Sequence, residues 1–195
     1  MPTDSAANLE RIRQDVPAYQ KLVLQPLDAI IDRYDPSYGY IDTKIDIFTG
    51  KDLFRKMGQV DLFGRETIYA WIQSRGVEAL CEHARWIQSN PDAAAAGSRD
   101  VPEYVDACRA IVASVIQRLE DIRARNGGTL FFWFDRDGKP FKLTAEGRKE
   151  SFCPEAGSMC ASDQFHIKAL AAAGNFLDDR RLLDAAKPFF EKWIK

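Results

Sequence analysis

The pattern that most constrains this chain is helical. Val105, Cys108, Ile111, Val112, Val115, Ile116, Leu119 and Ile122 recur at steps of three and four, which makes one apolar face of a long helix. Pro102 stands early in that stretch, where a missing N–H costs little. Asn126-Gly127-Gly128 closes it with residues suited to a left-handed cap. Leu9, Ile12, Val16, Tyr19, Val23, Leu27, Ile30 and Ile31 mark an earlier helix. Pro17 and Pro26 predict a break or kink in it, and Asp35-Pro36-Ser37 ends it. Arg65 to Gln88 reads as another helix, ~36 Å long. Ser158 to Ala173 and Asp178 toward Trp193 read as two more, with Pro188 as an early stop in the last. Ala93 to Ser98 reads as a short loop.

Aromatic segments too short for helices separate these stretches. Tyr38-Gly39-Tyr40-Ile41-Asp42 is β-prone, and Thr49-Gly50-Lys51 turns the chain after it. Thr129-Leu130-Phe131-Phe132-Trp133-Phe134 leads into the Asp137-Gly138 turn, with Lys139 to Leu143 as a return strand. Glu146 to Glu150 alternates in sign and reads as a solvated loop. Two short β-hairpins are therefore expected, near 37–60 and 129–143. Helix, aromatic strand, Gly-Lys turn and helix occur across 16–88 and again across 101–174, a repeat of roughly 90 residues. Stacked helical hairpins with short β-hairpins at one end satisfy that order, in a mostly α fold.

The 195 residues suffice for one large domain or two small ones with a real core. A balance of 27 basic against 29 acidic side chains, without a long basic run, argues against nucleic acid as a partner. No apolar run approaches the ~18–20 residues that span a bilayer, which argues against a membrane. Met1 to Asn8 lacks the layout of a secretory signal. The four cysteines show no CxxC spacing, and Cys81 and Cys108 fall on apolar helical patterns. A reducing cytoplasm, with neither metal nor cofactor, is the expectation.

Residues four apart share a helix face, so Trp71 and Arg75 lie one above the other, and Glu78 and Glu82 continue the stripe. An indole beside a permanently charged guanidinium suits a sugar. The ring stacks on apolar C–H groups and the guanidinium donates to oxygens. A plainer reading of the same residues is a buried Trp anchor with Arg75 paired to Glu78. Ile68, Ile72 and Ala79 are expected to pack between helices. The aromatic run Leu130 to Phe134 suits either a sugar groove or a hairpin core. Cys153 and Cys160 have no histidine pattern that would make either a nucleophile.

Four segments, in order, resemble the N-acylglucosamine 2-epimerase family, which includes sugar 2-epimerases and aldose–ketose isomerases. Leu24-Gln25-Pro26-Leu27 with Asp35-Pro36-Ser37-Tyr38-Gly39-Tyr40 looks like its first helix and exit strand. Trp71-Ile72-Gln73-Ser74-Arg75 resembles its Trp-x-Gln-x-Arg inner helix. Phe131 to Pro140 resembles its aromatic strand and Asp-Gly-Lys hairpin. Ser162-Asp163-Gln164-Phe165 to Ala173, then Asp178 to Phe190, looks like the following helix pair. The resemblance covers nearly the whole chain.

The resemblance implies an (α/α)6 barrel of twelve helices with a sugar in its central cavity. Arg75 would be the catalytic, substrate-contacting arginine, Trp71 part of the wall, and Gln73, Asp163 and His166 further substrate contacts. About five long helices make residues 1–195 the N-terminal part of one such domain, less than half a barrel. The family's acid and base are histidines on later inner helices. This chain has only His83 and His166, and neither matches those positions. Epimerisation removes a proton beside the carbonyl of a ring-opened sugar, and Arg75 could stabilise the enediolate without titrating. The expected ligand is a mono- or disaccharide. One rival is an (α/α)-barrel glycoside hydrolase using two carboxylates among Glu78, Glu82, Glu155 and Asp163. The other is a non-catalytic carbohydrate-binding or scaffold fragment. Phe189, Phe190, Trp193 and Ile194 crowd the C-terminal end, which predicts self-association through an exposed apolar face.

Overall fold

Asp100 starts the central helix as its sequence predicts. Its carboxylate accepts from Glu103 N, Glu103 reaches back to Asp100 N, and Pro102 occupies the first turn. The resulting helix, α3 (Val101–Arg125), buries the whole apolar stripe from Val105 to Ile122. It ends through Asn126 and Gly128, whose N–H groups return to Ile122 and Arg123 carbonyls, with Gly127 and Gly128 at positive φ. The computed structural model describes residues 5–46, 49–153, 155 and 158–194; the side chains of 5, 6, 56 and 192–194 lie outside that description. Across these residues the chain is mostly helical, with a few short antiparallel strand pairs.

The other α-helices are α1 (Ser5–Arg33), α2 (Ala70–Ser89), α4 (Ala161–Leu177) and α5 (Arg180–Ile194), and a 3-10 helix spans Pro91–Ala96 where a loop was expected. α2 packs against both α3 and α4, and α5 packs on α4. Contacts rise together along α2 and α4: Trp71 meets Phe165, Ser74 meets His166, and Glu78 meets Lys168. The two helices therefore run the same way, side by side, and α3 is the return between them. Their shared interior contains Val77, Leu80, Cys81, Ala84, Leu170 and Ala173, all buried. Burial pushes the Cys81 and Cys108 thiols up to about 12, so both pack as small hydrophobes. None of the described helices is long and apolar enough to cross a membrane.

Three expectations about elements are corrected. Neither Pro17 nor Pro26 ends α1, which is continuous from Ser5 to Arg33. Around Pro26 the burial of Leu24 and Leu27 offsets the ~3 kcal/mol that an interior proline costs. Around Pro17 no described contact does so, because residues 7–19 are exposed. Pro188 likewise lies inside α5.

The second helix begins at Ala70 rather than Arg65, because Thr67 and Ile68 are pulled into extended structure. Thr67 Oγ1 donates to Asp61 O (2.9 Å), and β3 (Ile68–Tyr69) pairs antiparallel with β4 (Trp133–Phe134). The third correction concerns the hairpins. The expected second one closes only through a Phe134–Pro140 bridge around Gly138, and β5 (Phe141–Leu143) pairs with β6 (Lys149–Ser151), inside the stretch read as a solvated loop. The first comprises an Ile45–Asp52 bridge and the pair β1 (Lys56–Met57) with β2 (Val60–Asp61); residues 47 and 48 lie outside the described residues.

Candidate functional site

β3 and β4 join the two halves of the chain at the end where α2 and α4 begin. Tyr69 at the end of β3 meets Phe132 and Trp133 edge-on, at 6.0 and 5.8 Å between centroids. In the first turn of α2, the half-buried Trp71 ring lies 5.9 Å from Phe165 of α4, tilted by 42°. Arg75, exposed on the next turn, carries its guanidinium 5.8 Å from the centre of the same Phe165 ring. Glu78 does not take Arg75. It accepts from Lys168 Nζ at 2.9 Å. Trp71 Nε1 is buried and meets no hydrogen-bond acceptor among the described residues. An aromatic pair and an exposed guanidinium thus share one surface, with the indole N–H buried beneath it.

Of the five residues expected at the site, the structure brings Trp71 and Arg75 together and turns the other three inward. Gln73, 4% exposed, accepts from Ile41 N (2.8 Å) and donates to Ile41 O (2.9 Å), so both ends of its amide hold the first aromatic segment. Asp163, 1% exposed, accepts from Thr129 Oγ1, Leu130 N and Cys160 N, each at 2.8 Å. Neither carboxylate oxygen is left as an acid or base. Among the packing residues, Ile68 is buried and Ile72 half-buried as expected, but Ala79 is exposed.

His166 faces the core although Phe165 beside it faces out. Its Nε2 lies 2.7 Å from Glu120 Oε1, and its Nδ1 lies 3.5 Å from Ser74 Oγ. The Glu120 carboxyl is desolvated, which alone would raise its pKa, yet hydrogen bonds from Arg123 and His166 outweigh this and bring it to about 2. Ser, His and Glu in line suggest a nucleophilic triad, and two facts oppose it. Ser74 is fully buried, and its hydroxyl proton goes to Ala70 O at 3.1 Å rather than to a histidine base.

Two other places concentrate charge or space. A cavity of about 410 Å³ is bounded by Arg33, Asp42, Lys44, Asp52, Asp61 and Arg65. Arg33 bridges Asp42 and Asp52, so those charges are paired. Lys44 Nζ donates to the Gly64 and Thr67 carbonyls, and burial pushes it down to about 8. Farther along α2, His83 bonds Ala79 O and borders an open cavity of about 330 Å³ with Val23, Glu82 and Trp86. Eight residues past Arg75, His83 lies to one side of the Trp71–Arg75 stripe.

Sequence reasoning missed Phe165, Lys168 and Glu120. Phe165 and Lys168 show a three-residue step on α4, yet nothing in the sequence says which helix they would face. No family model, curated protein or solved structure matches the chain.

Proposed function

We propose that the face shared by α2 and α4 binds a mono- or disaccharide, and that the chain is a sugar-active protein resembling N-acylglucosamine 2-epimerases. The observation that carries this reading is the Trp71–Phe165–Arg75 cluster, a half-buried aromatic pair beside an exposed guanidinium. A pyranose presents an apolar C–H face to aromatic rings and hydroxyls to a guanidinium, which is what these three side chains accept. Same-direction neighbouring helices with α3 as the return between them are also the unit from which an (α/α) toroid is built. Residues 1–195 would be a partial arc of such a barrel.

The catalytic share of this surface is electrostatic. Arg75 faces a developing enediolate oxygen without changing its own charge. No proton-transfer partner accompanies it among the described residues: Glu78 and Lys168 neutralise each other, and His166 is engaged with Glu120. The 195-residue chain is therefore expected to bind sugar without turning it over. That favours the non-catalytic binding reading over a glycoside hydrolase, because Asp163 is consumed by three donors.

Arg75→Ala tests the proposal. Its side chain is exposed and lies over the Phe165 ring, so the unfolding free energy should change by less than about 0.5 kcal/mol. Binding of N-acetylglucosamine, glucose or maltose, read as perturbation of Trp71 fluorescence or of amide resonances in α2 and α4, should disappear. Unfolding by Arg75→Ala with unchanged binding per folded molecule would overturn the assignment, as would a panel of such sugars that leaves α2 and α4 unperturbed in the parent.

A further inference from the structure

The first part of α1 has no tertiary cover. Residues 7–19 are exposed on every side of the helix, and the core begins only at Leu24 and Leu27. Along this projecting segment Leu9, Ile12, Val16, Tyr19 and Val23 follow one another at steps of three, four, three and four. They are between 38% (Val23) and 65% (Tyr19) exposed. A strict two-in-seven stripe is the seam of a coiled coil, narrower than the face a helix lays on a sheet or a lipid surface. Glu10, Arg11, Arg13, Gln14 and Asp15 surround it, which leaves no broad apolar face for a bilayer. The seam is about 22 Å long, and Pro26 stands at its next position, next to where the helix enters the core.

We propose that this stripe is a homodimerisation seam, with α1 of a second copy packed parallel and in register against it. Three observations select that occupant. The first is the distribution of exposed apolar side chains. Six of the eleven large ones among the described side chains lie on α1, and among those side chains no other helix exposes more than one, so the best match for the seam is the seam itself.

The second is charge. In the parallel register Asn8 meets the partner's Arg13 and Asp15 meets the partner's Gln20, while all five apolar layers are covered. The antiparallel register that covers Leu9 to Tyr19 instead sets Asp15 against the partner's Asp15 and Arg13 against the partner's Arg13. The third is the cost of the helix. An uncovered segment of this length containing Pro17 is unstable alone, and burial of its stripe between two copies offsets that cost. The open cavity beside Val23, His83 and Trp86 leaves room for the second helix at the end of the seam.

Two heptads make a small interface, so the dimer forms at tens to hundreds of micromolar rather than nanomolar. Sedimentation equilibrium of the 195-residue chain should show the mass rising from 22.1 kDa toward twice that with concentration. I12D/V16D should hold it at the monomer mass throughout, with the thermal midpoint of the body unchanged because neither side chain touches the core. V16C should form a disulfide-linked dimer on mild oxidation, above the background of the parent cysteines, since parallel pairing brings that position onto its own copy. A parent chain that stays monomeric at several hundred micromolar overturns the proposal. So does association that survives I12D/V16D but is abolished by Phe190→Ser, which would assign the interface to the C-terminal face.

Discussion

The two halves of this molecule solve one problem with different chemistry. In each, a side chain in the first turn of a helix reaches back to hold the aromatic segment that precedes it. In the first half Gln73 holds Ile41, 32 positions earlier; in the second, Asp163 holds Leu130, 33 positions earlier. A glycine at positive φ stands two residues before each held position, Gly39 at +73° and Gly128 at +93°. The clamps differ in kind. Gln73 is neutral, and its amide matches the Ile41 N–H and C=O one to one. Asp163 only accepts, and it gathers a hydroxyl and two backbone N–H groups into a buried carboxylate. A neutral clamp stabilises one extended residue. An ionic clamp ties a loop, a strand entry and a helix start to one point.

That difference predicts unequal losses. Asp163→Ala leaves three buried donors unpaired and should cost about 4 kcal/mol. Gln73→Ala strands one donor and one acceptor and should cost about 2 kcal/mol. Urea unfolding of both variants, followed by far-UV circular dichroism, measures them side by side. Equal losses would mean that the two clamps are equivalent and that the charge at position 163 adds nothing.

The second half places a charged group between its helices, and acid should reveal it. Glu120 lies between Arg123 and His166, with its carboxyl at about 2 against an ordinary 4.5. A carboxylate whose folded pKa lies below its unfolded value stabilises the fold above about 4.5, and that stability is lost as pH falls toward 2. The contribution is on the order of 2–3 kcal/mol, since the side chain is only partly screened by solvent. Glu120→Gln should flatten the stability curve across that window while Gln73→Ala leaves its slope unchanged. An unaltered slope in Glu120→Gln would remove the charged group from the comparison.

The elements of this asymmetry were unequally legible in the sequence. α3 was readable to its caps, because its apolar stripe, Asp100, Pro102 and Asn126-Gly127-Gly128 all act within a few residues of one another. Trp71 and Arg75 were readable as one face for the same reason. The start of α2 was not, because Ile68 is set by a strand 66 positions away at Phe134. Gln73, Asp163 and His166 looked like site residues from motif order, but whether a polar side chain points out or reaches back is decided by partners about 30 to 90 positions distant. The seam on α1 was fully visible as periodicity, and only the structure showed that nothing in the body covers it.

The finest difference between the halves lies one residue beyond the second clamp. Phe131 adopts φ of +60°, a left-handed conformation that a bulky side chain takes at a cost, whereas among the described residues of the first half that region holds only glycines. Its ring stacks on Phe152 at 4.1 Å and 24°. The strain costs about 1 kcal/mol and the stacking contributes about as much, so the two nearly cancel. Phe131→Gly removes both and should change stability by less than about 1 kcal/mol. Phe131→Ala removes the ring but keeps the left-handed penalty, and should be less stable than Phe131→Gly by about 1 kcal/mol. If Phe131→Ala matches or exceeds Phe131→Gly in thermal unfolding, the backbone relaxes out of the left-handed region once the ring is gone. In that event the Phe131–Phe152 stack, rather than the Asp163 clamp, holds the turn that sends Leu130 into the core and Phe132 outward.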